Sequence, residues 1–498
     1  MKLFNSLTNE YYDLTQLKSQ PINWYCCGPT IYNDSHLGHA RTYIIFDTMC
    51  RYLRSQGYQI EYGMNITDID DKIINKVNLI NDDNQNLYIK SQLYQNFINN
   101  QLSSFWADMQ SLNIAQPQKV LRVSDDNVMN SIMEFITHLV DTGYAYVGLD
   151  SQPNKSVYFD ISKYSNNFKF NCLHCANYFD QIIKNTHIYD KKSPRDFALW
   201  KAVNDPNELS WTFSYSGLVL GQGRPGWHIE CSAIMKLMFG SNVQVHSGGI
   251  DLRYPHHNNE FLQSTSYFQN DEWINCFVHS GHLLINGEKM SQSLGNFITI
   301  KQFLTRYNSN EIRLMFLSTK YSDQMDLNES ICKYSQVTWA RIKNFMFNLK
   351  THMKFKLNNE KTFDIDLVES KINKLLANDF NTPEAIKLIT NTTDTIYSNN
   401  FAYTNLAEIH TFFSNFLKTF GLESENIVPE NFTDTTNGLV DTISQIRTDI
   451  KQLAKTVDKE TKIKLFAISD KIRDTYLPNA HVKLEDLPNG QSQWQWNF

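Results

Sequence analysis

The segment from Ile22 to Gly57 limits the fold more than any other part of the sequence. INWYCCG at 22–28 predicts a short buried strand, GPT predicts a turn, and the apolar spacing from His36 onward predicts a helix that stops at Gly57. The residues YQIEYGMNITDID then predict another strand and a loop. A strand, turn, helix and strand in this order, with a glycine where the helix begins, favour a parallel α/β nucleotide-binding fold.

The rest of the chain predicts an α/β domain in two halves and a helical C-terminal part. Turn-rich stretches such as SQPNKS interrupt the pattern, and strand-like runs resume with NVQVHSGGIDL and WINCFVHSGHLLING. Long amphipathic helices follow. We predict a Rossmann-like parallel-sheet domain split by an insertion, then an α-helical bundle and a small C-terminal region. The ranges are 1–104 for the first half, 105–205 for the connective insertion, 206–325 for the second half, 326–435 for the bundle and 436–498 for the last region.

Composition excludes several classes of protein. No run of about 18 apolar residues is present, so a membrane role is not expected. The N-terminal MKLFNSLTNEYYDL lacks the pattern of a signal or transit peptide, and we expect a cytoplasmic protein. The net charge of -6 argues against indiscriminate coating of nucleic acid, although local basic surfaces can still bind a phosphate backbone. The eight scattered cysteines do not form a disulfide framework, so some of them are better explained by metal or thiol chemistry.

Two short motifs are suited to binding ATP. His36, Gly38 and His39 lie where a helix should begin, so free backbone amides and two imidazoles can face phosphate, and Gly38 allows a purine or ribose to approach the backbone. EKMSQSLG at 288–295 predicts a loop with one lysine and two hydroxyls that can fold over a triphosphate. Each motif alone also fits a plainer explanation, surface or core histidines for the first and a solvated loop for the second.

Four residues form a candidate metal site. Cys27 ends the first strand, Cys231 lies in GRPGWHIECSA, and His256 and Glu260 in YPHHNNE are four residues apart, on one face of a helix. Two thiolates, an imidazole and a carboxylate are a plausible zinc set. His257 could replace His256, and the four could instead be separate buried residues. A second metal at Cys172 and Cys175 is only weakly indicated, because their CxxC has no partner pair.

HLGH followed by KMSQS across a split α/β domain resembles the class I aminoacyl-tRNA synthetases. Within that class, the stretches CGPTIYNDSHLGHAR, NITDIDDKI, GRPGWHIECSA and HSGGIDLRYPHHNNE resemble cysteinyl-tRNA synthetase. LANDFNTPEA and VKLEDLPNGQSQW extend the resemblance to the C-terminal end of the chain. Together these motifs are far more specific than any one of them.

The resemblance implies an activity and its residues. It implies that L-cysteine is activated with ATP and Mg²⁺ to cysteinyl-adenylate and passed to the 3′-terminal adenosine of tRNA-Cys, with one Zn²⁺ per chain holding the substrate thiolate. A monomer is expected. The implied catalytic residues are His36, His39 and Lys289, and the implied ATP-binding residues add Gly38, Ser291, Gln292 and Ser293. The implied contacts to substrate cysteine are Gly28, Thr67, Trp227, His246 and Asp251, and the implied metal ligands are Cys27, Cys231, His256 and Glu260. The last region would bind the anticodon, where Trp494 or Trp496 could stack on a base.

Two departures from the family pattern keep other functions open. Gln292 stands where the family motif KMSKS has its second lysine, which puts the reaction rate in doubt, and Asn258 stands where glutamate is usual. One rival function is a cysteine ligase that uses a small amine acceptor, although such relatives lack the C-terminal region. The other is a non-catalytic tRNA-binding descendant, which Gln292 alone supports.

Overall fold

The structure is a computed structural model, and it describes most of the chain. The described ranges are 1–80, 87–149, 153–167, 190–205, 208–290, 296–354, 361–423, 434–487 and 492–496. The predicted residues Ser291, Gln292, Ser293, Cys172 and Cys175 therefore lie outside the described residues. The chain forms two compact units, of which the first is Met1–Ile331 with Lys374–Pro383 and the second is Cys332–Asn373 with Glu384–Phe498.

The first unit contains the strands and helices that carry the predicted site. Its strands are β1 (Lys2–Asn5), β2 (Glu10–Asp13), β3 (Ile22–Cys26), β4 (Ile60–Ile66), β5 (Lys119–Arg122), β6 (Ala145–Val147), β7 (Val157–Phe159), β8 (Phe197–Ala202), β9 (Trp211–Tyr215), β10 (Leu218–Pro225), β11 (Val243–Gly249), β12 (Ile274–Ser280), β13 (Leu283–Ile285), β14 (Glu288–Lys289) and β15 (Met325–Leu327). Its helices are α1 (Leu37–Ser55), α2 (Asp71–Ile80), α3 (Leu87–Ser111), α4 (Asp126–Asp141), α5 (Ile161–Asn167), α6 (Trp227–Phe239), α7 (Asn258–Phe268), α8 (Ile300–Leu304) and α9 (Ser309–Leu317).

A parallel sheet forms the centre of the first unit. Its strand order is β12-β11-β3-β4-β5, and all neighbouring pairs are parallel. Trp24 and Tyr25 of β3 are fully buried, as expected for a strand covered on both faces. From β3 the chain continues to β4 on one side, whereas β11 occupies the other side. This change of direction creates a crevice at the carboxyl ends of β3 and β11, the usual ligand site of such sheets. The predicted strand, helix and strand at the start of the chain are confirmed.

A second, antiparallel sheet corrects the predicted extent of the insertion. Its strand order is β6-β7-β8-β10-β9, so it runs from residue 145 to residue 225 and not from 105 to 205. β5, at 119–122, is instead an edge strand of the parallel sheet. The sequence did not reveal this, because a four-residue strand is too short to show a clear period. Buried aromatic rings fill the core of the antiparallel sheet, such as Trp200 against Phe213 with ring centroids 5.0 Å apart.

The second unit is helical with a small hairpin. Its residues form most of α10 (Glu329–Lys354) and α11 (Ile365–Ala377), then α12 (Thr382–Ser398), α13 (Leu406–Thr419), α14 (Asp434–Leu453), α15 (Lys459–Lys471), α16 (Leu477–Asn479), β16 (Val482–Asp486) and β17 (Ser492–Trp496). The fully buried Arg447 of α14 binds the carboxylate of Asp486 through both terminal nitrogens, at 2.5 and 2.8 Å, which fixes the β16–β17 hairpin to the helix. Among the described residues, no helix is long and apolar enough to cross a membrane.

Candidate active site

One cavity lies at the carboxyl ends of the central strands. Residues after β3, β4 and β11 line it, together with the first turn of α1 and the β13–β14 hairpin. The cavity therefore occupies the crevice that the strand order creates. Most of the predicted site residues line it, namely Cys27, Gly28, His36, Gly38, His39, Thr67, Trp227, Cys231, Asp251, His256 and Lys289.

The two histidines of HLGH close the first turn of α1. His36 is the residue before the helix, and its Nδ1 accepts hydrogen bonds from the backbone N–H groups of Gly38 at 3.0 Å and His39 at 3.4 Å. The backbone N–H of His36 donates in return to Nδ1 of His39 at 3.4 Å, and the two rings stack with centroids 3.8 Å apart. A histidine pair thus replaces the serine and glutamate of an ordinary capping box. Because a backbone N–H can only donate, both Nδ1 atoms are acceptors, and the proton of each neutral ring lies on Nε2.

Burial keeps both of these imidazoles uncharged. It lowers the pKa of His36 to about 4, and it lowers the pKa of His39 well below the usual range, with a further contribution from the neighbouring His36. Each ring is therefore a neutral donor through Nε2–H at neutral pH. The sequence-based expectation that these histidines neutralise charge is refined accordingly, because they offer hydrogen bonds and not a full positive charge.

The four predicted metal ligands form one buried cluster. Atoms of Cys27, Cys231, His256 and Glu260 that could bind a metal all lie within 4.8 Å of one another. The two sulfur atoms are 3.9 Å apart, and Nε2 of His256 lies 2.6 Å from Oε1 of Glu260. Separate elements supply these residues. Cys27 follows β3, Cys231 lies in the second turn of α6, His256 precedes α7, and Glu260 lies in its first turn.

The charges in this cluster favour the ionised forms of Glu260 and Cys231, whereas burial raises the pKa of the Cys27 thiol well above its usual value. Burial opposes ionisation of Glu260, but His256 and His246 overcome it and hold the carboxyl pKa at about 2. Burial also opposes ionisation of Cys231, yet contact with Cys27 and attraction to His256 lower the thiol pKa to about 6. Burial lowers the pKa of His256, while Glu260 and Cys231 raise it to about 10. A metal ion would replace the imidazolium proton of His256 as the positive charge among these groups.

A second group of ligand atoms overlaps the first. Cys27 and Glu260 also lie within 4.8 Å of ligand atoms of His246 and His257. The structure therefore keeps open the question whether His256 or His257 is the ligand. Nε2 of His257 is 3.2 Å from Cys27 Sγ, and its Nδ1 is 2.8 Å from Nε2 of His279. Because His279 contacts its second nitrogen, the ring of His257 is held against the Cys27 sulfur, as groups around metal ligands commonly are.

Comparisons with known proteins identify the family. Residues 13–337 match the family model described as the class I (C) tRNA synthetase catalytic domain. A cysteine–tRNA ligase of Methanococcus aeolicus is 35% identical over 98% of this chain and 99% of its own length. The chain belongs to the cysteine–tRNA ligase family. A cytoplasmic member from Dictyostelium discoideum is 32% identical over 96% of this chain and 74% of its own length. Among solved structures, Mycobacterium tuberculosis methionyl-tRNA synthetase has a TM-score of 0.56, at 13% identity over 85% of this chain and 94% of that one. This last likeness shows the shared class I fold, and it confirms the predicted fold class.

Most of the residues that are expected to contact substrate cysteine line the cavity. Gly28, Thr67, Trp227 and Asp251 line the cavity. Trp227 is 39% exposed and stacks on His256, with ring centroids 4.3 Å apart.

His246 is the exception among the expected substrate residues. It is fully buried, is not among the residues that line the cavity, and has its Nε2 2.6 Å from Oε2 of Glu260. The structure places His246 behind Glu260, and its contact with substrate stays a prediction. The strand pattern could not reveal this, because alternate residues of a fully covered strand are buried on both faces.

The hairpin of the KMSQS motif places Lys289 at the cavity. Lys289 is exposed, ends β14, and is paired with Leu284 of β13. Phe297, beyond the undescribed part of this motif, makes an edge-to-face contact with His36 at 5.2 Å. The HLGH and KMSQS motifs are therefore neighbours in the described structure.

Two cavity residues were missed in the sequence. Arg41, at 1% exposure, donates to the backbone carbonyls of Gly281, His282 and Asp323 and so ties α1 to the segment before β13. Asn65, also at 1% exposure, lies on β4 between Gly28 and Thr67. A polar residue between the apolar Met64 and Ile66 of β4 was the available signal for Asn65.

Proposed function

We propose that the cavity activates L-cysteine with ATP and that Cys27, Cys231, His256 and Glu260 hold a zinc ion at the end where the side chain of cysteine binds. The observation that carries this proposal is the buried set of two thiols, one imidazole and one carboxylate within 4.8 Å. This set fits zinc, which prefers sulfur and nitrogen ligands in a tetrahedral arrangement. The same cavity reaches the HLGH turn, so the thiol of cysteine and the phosphates of ATP can be bound in one cavity.

Zinc would supply selection between cysteine and serine. A bound zinc with an open coordination position takes a thiolate readily and a hydroxyl poorly, because sulfur is the softer ligand. The chain's own part is to hold the two sulfurs and the two other ligands in place, and to keep Glu260 ionised through His246 behind it. A site that rejects serine at binding has little need of an editing site.

The HLGH turn would hold the phosphate end of ATP, which binds with Mg²⁺. The Nε2–H groups of His36 and His39 are free of the capping bonds that occupy Nδ1, and they can donate to phosphate oxygens. Lys289 would add a positive charge from the β13–β14 hairpin. The carboxylate of cysteine then attacks the α-phosphorus, the bond to the β-phosphate oxygen breaks, and pyrophosphate leaves with the electron pair.

The second unit would bind tRNA-Cys for the transfer step, which we expect at the 2′-hydroxyl of the terminal adenosine. A cavity in this unit is lined by Arg341, Lys483 and Trp494, and by Asp394 and Glu485, the carboxylates that pair with the two cations. Two cations and an aromatic ring suit single-stranded RNA. Nε1 of Trp494 donates to Asp441 at 2.6 Å, which fixes the position of the indole ring at this cavity. A cysteine ligase with an amine acceptor is disfavoured, because the tRNA ligase relatives cover nearly the whole chain.

Replacing Cys231 tests the metal assignment. Cys231→Ser should lose zinc, measured by atomic absorption on the dialysed protein, and should lose cysteine-dependent ATP–pyrophosphate exchange with it. The matched control is Cys50→Ser, which alters a buried thiol of α1 that does not line this cavity and should keep both. Full zinc content with normal exchange in Cys231→Ser would contradict the proposal.

The same measurements decide between His256 and His257. Replacing the histidine that binds the metal should lose zinc, whereas replacing the histidine that only contacts a ligand should keep most of it. We expect His256→Asn to be the variant that loses zinc, since its Nε2 faces the carboxylate of the cluster.

A further inference from the structure

The amide of Asn65 connects two residues that are expected at the substrate. Its Oδ1 accepts the backbone N–H of Gly28 at 2.7 Å and the hydroxyl of Tyr25 at 2.9 Å, and its Nδ2 lies 2.9 Å from Oγ1 of Thr67. Asn65 also lines the cavity. The side chain therefore joins the ends of β3 and β4 at the point where the amino acid is expected.

The backbone of Gly28 fixes which way this amide points. A backbone N–H can only donate, so the atom of Asn65 that faces it must be the oxygen, and the NH₂ group must face Thr67. The two strands also approach closely here, because a Cβ on Gly28 would lie 1.7 Å from the carbonyl oxygen of Asn65.

The orientation of the amide determines the direction of the Thr67 hydroxyl. Since Nδ2 of Asn65 donates, Oγ1 of Thr67 must accept, and its own proton is left for another partner. In the described part of the chain, the Thr67 hydroxyl makes no hydrogen bond besides the one that it accepts from Asn65. Thr67 is 3% exposed and lines the cavity, so the remaining direction for the proton is toward bound substrate.

We propose that Asn65 is a positioning residue that turns the Thr67 hydroxyl proton into the cavity, where it donates to the carboxylate of the bound amino acid. This inference rests on the proposed function, since it takes cysteine as the occupant. Of the two charged groups of an amino acid, the ammonium only donates and the carboxylate only accepts, so a fixed donor selects the carboxylate. The hydrogen bond would hold the nucleophilic carboxylate beside the HLGH turn.

Two fragments of cysteine separate the two charged groups. The first, 3-mercaptopropionate, keeps the thiol and the carboxylate, whereas cysteamine keeps the thiol and the ammonium. Their dissociation constants are measured by calorimetry on the zinc-loaded full chain. Because both fragments keep the thiol, the contribution of the metal is common to them.

Asn65→Asp and Thr67→Val should both act on the carboxylate fragment. Because a hydrogen bond to a charged group is lost, the dissociation constant of 3-mercaptopropionate should rise by about tenfold or more. The dissociation constant of cysteamine should change by less than about twofold. The double variant should bind 3-mercaptopropionate within about twofold of Thr67→Val alone, because Asn65 acts through Thr67. Asn348→Asp, which alters a buried asparagine of the second unit, is the control and should leave both constants unchanged.

Equal weakening of the two fragments in Asn65→Asp, or unchanged binding of both, would overturn the inference. So would preferential loss of cysteamine in Thr67→Val, or additive effects in the double variant. If Asn65→Asp does not show the thermal unfolding transition of the wild type, Asn65→Ser is used instead, because it introduces no buried charge. Asn65→Ser must then show the same selective loss of 3-mercaptopropionate binding. Fragment binding does not depend on charging of tRNA, so a wild type that binds both fragments and charges no tRNA would refute the proposed function alone.

Discussion

Two replacements of His36 separate its role in capping α1 from its role as a hydrogen-bond donor to phosphate. Nδ1 of His36 accepts two backbone N–H groups at the start of α1, while its Nε2–H is left for phosphate. In His36→Asn, the side-chain oxygen occupies the position of Nδ1 and can cap the helix, but no atom reaches the position of Nε2. His36→Ala removes both functions.

The two variants should therefore differ in stability but not in rate. A lost N-cap costs about 1 kcal/mol, so His36→Ala should be less stable than His36→Asn by about this amount. Both lose the ring contacts with His39 and Phe297, so this deficit cancels in the comparison. Removal of one donor to a transition-state oxyanion costs roughly 100-fold to 1000-fold in rate, and both variants should show it.

Urea unfolding and single-turnover formation of cysteinyl-adenylate are the two assays. The first is followed in the absence of ligands and the second at saturating ATP and cysteine, so weaker binding does not enter the rate. Equal stability of the two variants would refute the capping role of the imidazole. A rate for His36→Asn within about threefold of the wild type would refute the donor role.

Three further variants or conditions test other contacts of the site. Gly28→Ala should lower the free energy of unfolding by about 1 to 3 kcal/mol and weaken cysteine binding, because its Cβ would lie 1.7 Å from the Asn65 carbonyl oxygen. A free energy of unfolding and a KM for cysteine equal to those of the wild type would contradict that packing. The pKa of His36 is lowered to about 4, so between about pH 6.5 and pH 4 the unfolded chain binds more protons than the folded chain and stability falls as the pH falls. At pH 5 this contribution is about 2 kcal/mol, and urea unfolding should show a smaller acid loss in His36→Asn, whereas an equal loss would refute it. Gln292→Lys should raise the rate of adenylate formation in stopped-flow measurements by restoring the second lysine of the motif, and an unchanged rate would show that KMSQS suffices.

Sequence reasoning located the parts of the site that depend on local pattern. The strand before Cys27 and the helix after His36 follow from apolar spacing, and the structure places both where they were predicted. The four candidate ligands came from residue type and family resemblance, and the structure brings them within 4.8 Å. Their role in binding zinc stays a prediction.

Residues whose role depends on contacts between strands were not predictable in the same way. His246 has the residue type of a substrate contact, but its register beside Tyr25 places it behind Glu260. Asn65 is separated by 37 positions from Gly28, and only the pairing of β3 with β4 brings them together. Sequence period determines which residues of a strand share a face, but it does not determine which strand lies beside it.

The extent of the insertion was mistaken for a similar reason. Residues 211–225 form two strands of the antiparallel sheet, although they were assigned to the second half of the catalytic domain. A strand has the same local pattern in either sheet, so only the pairing of β10 with β8 reveals its membership.

Charging of a tRNA-Cys transcript by the zinc-loaded protein, with cysteine or serine and read on an acid gel, tests the central claim most directly. The account predicts charging with cysteine and none above background with serine, because the cluster at Cys27 and Cys231 selects a thiol. Comparable charging with serine would contradict selection by the metal cluster, and the absence of charging with cysteine would contradict the proposed function itself.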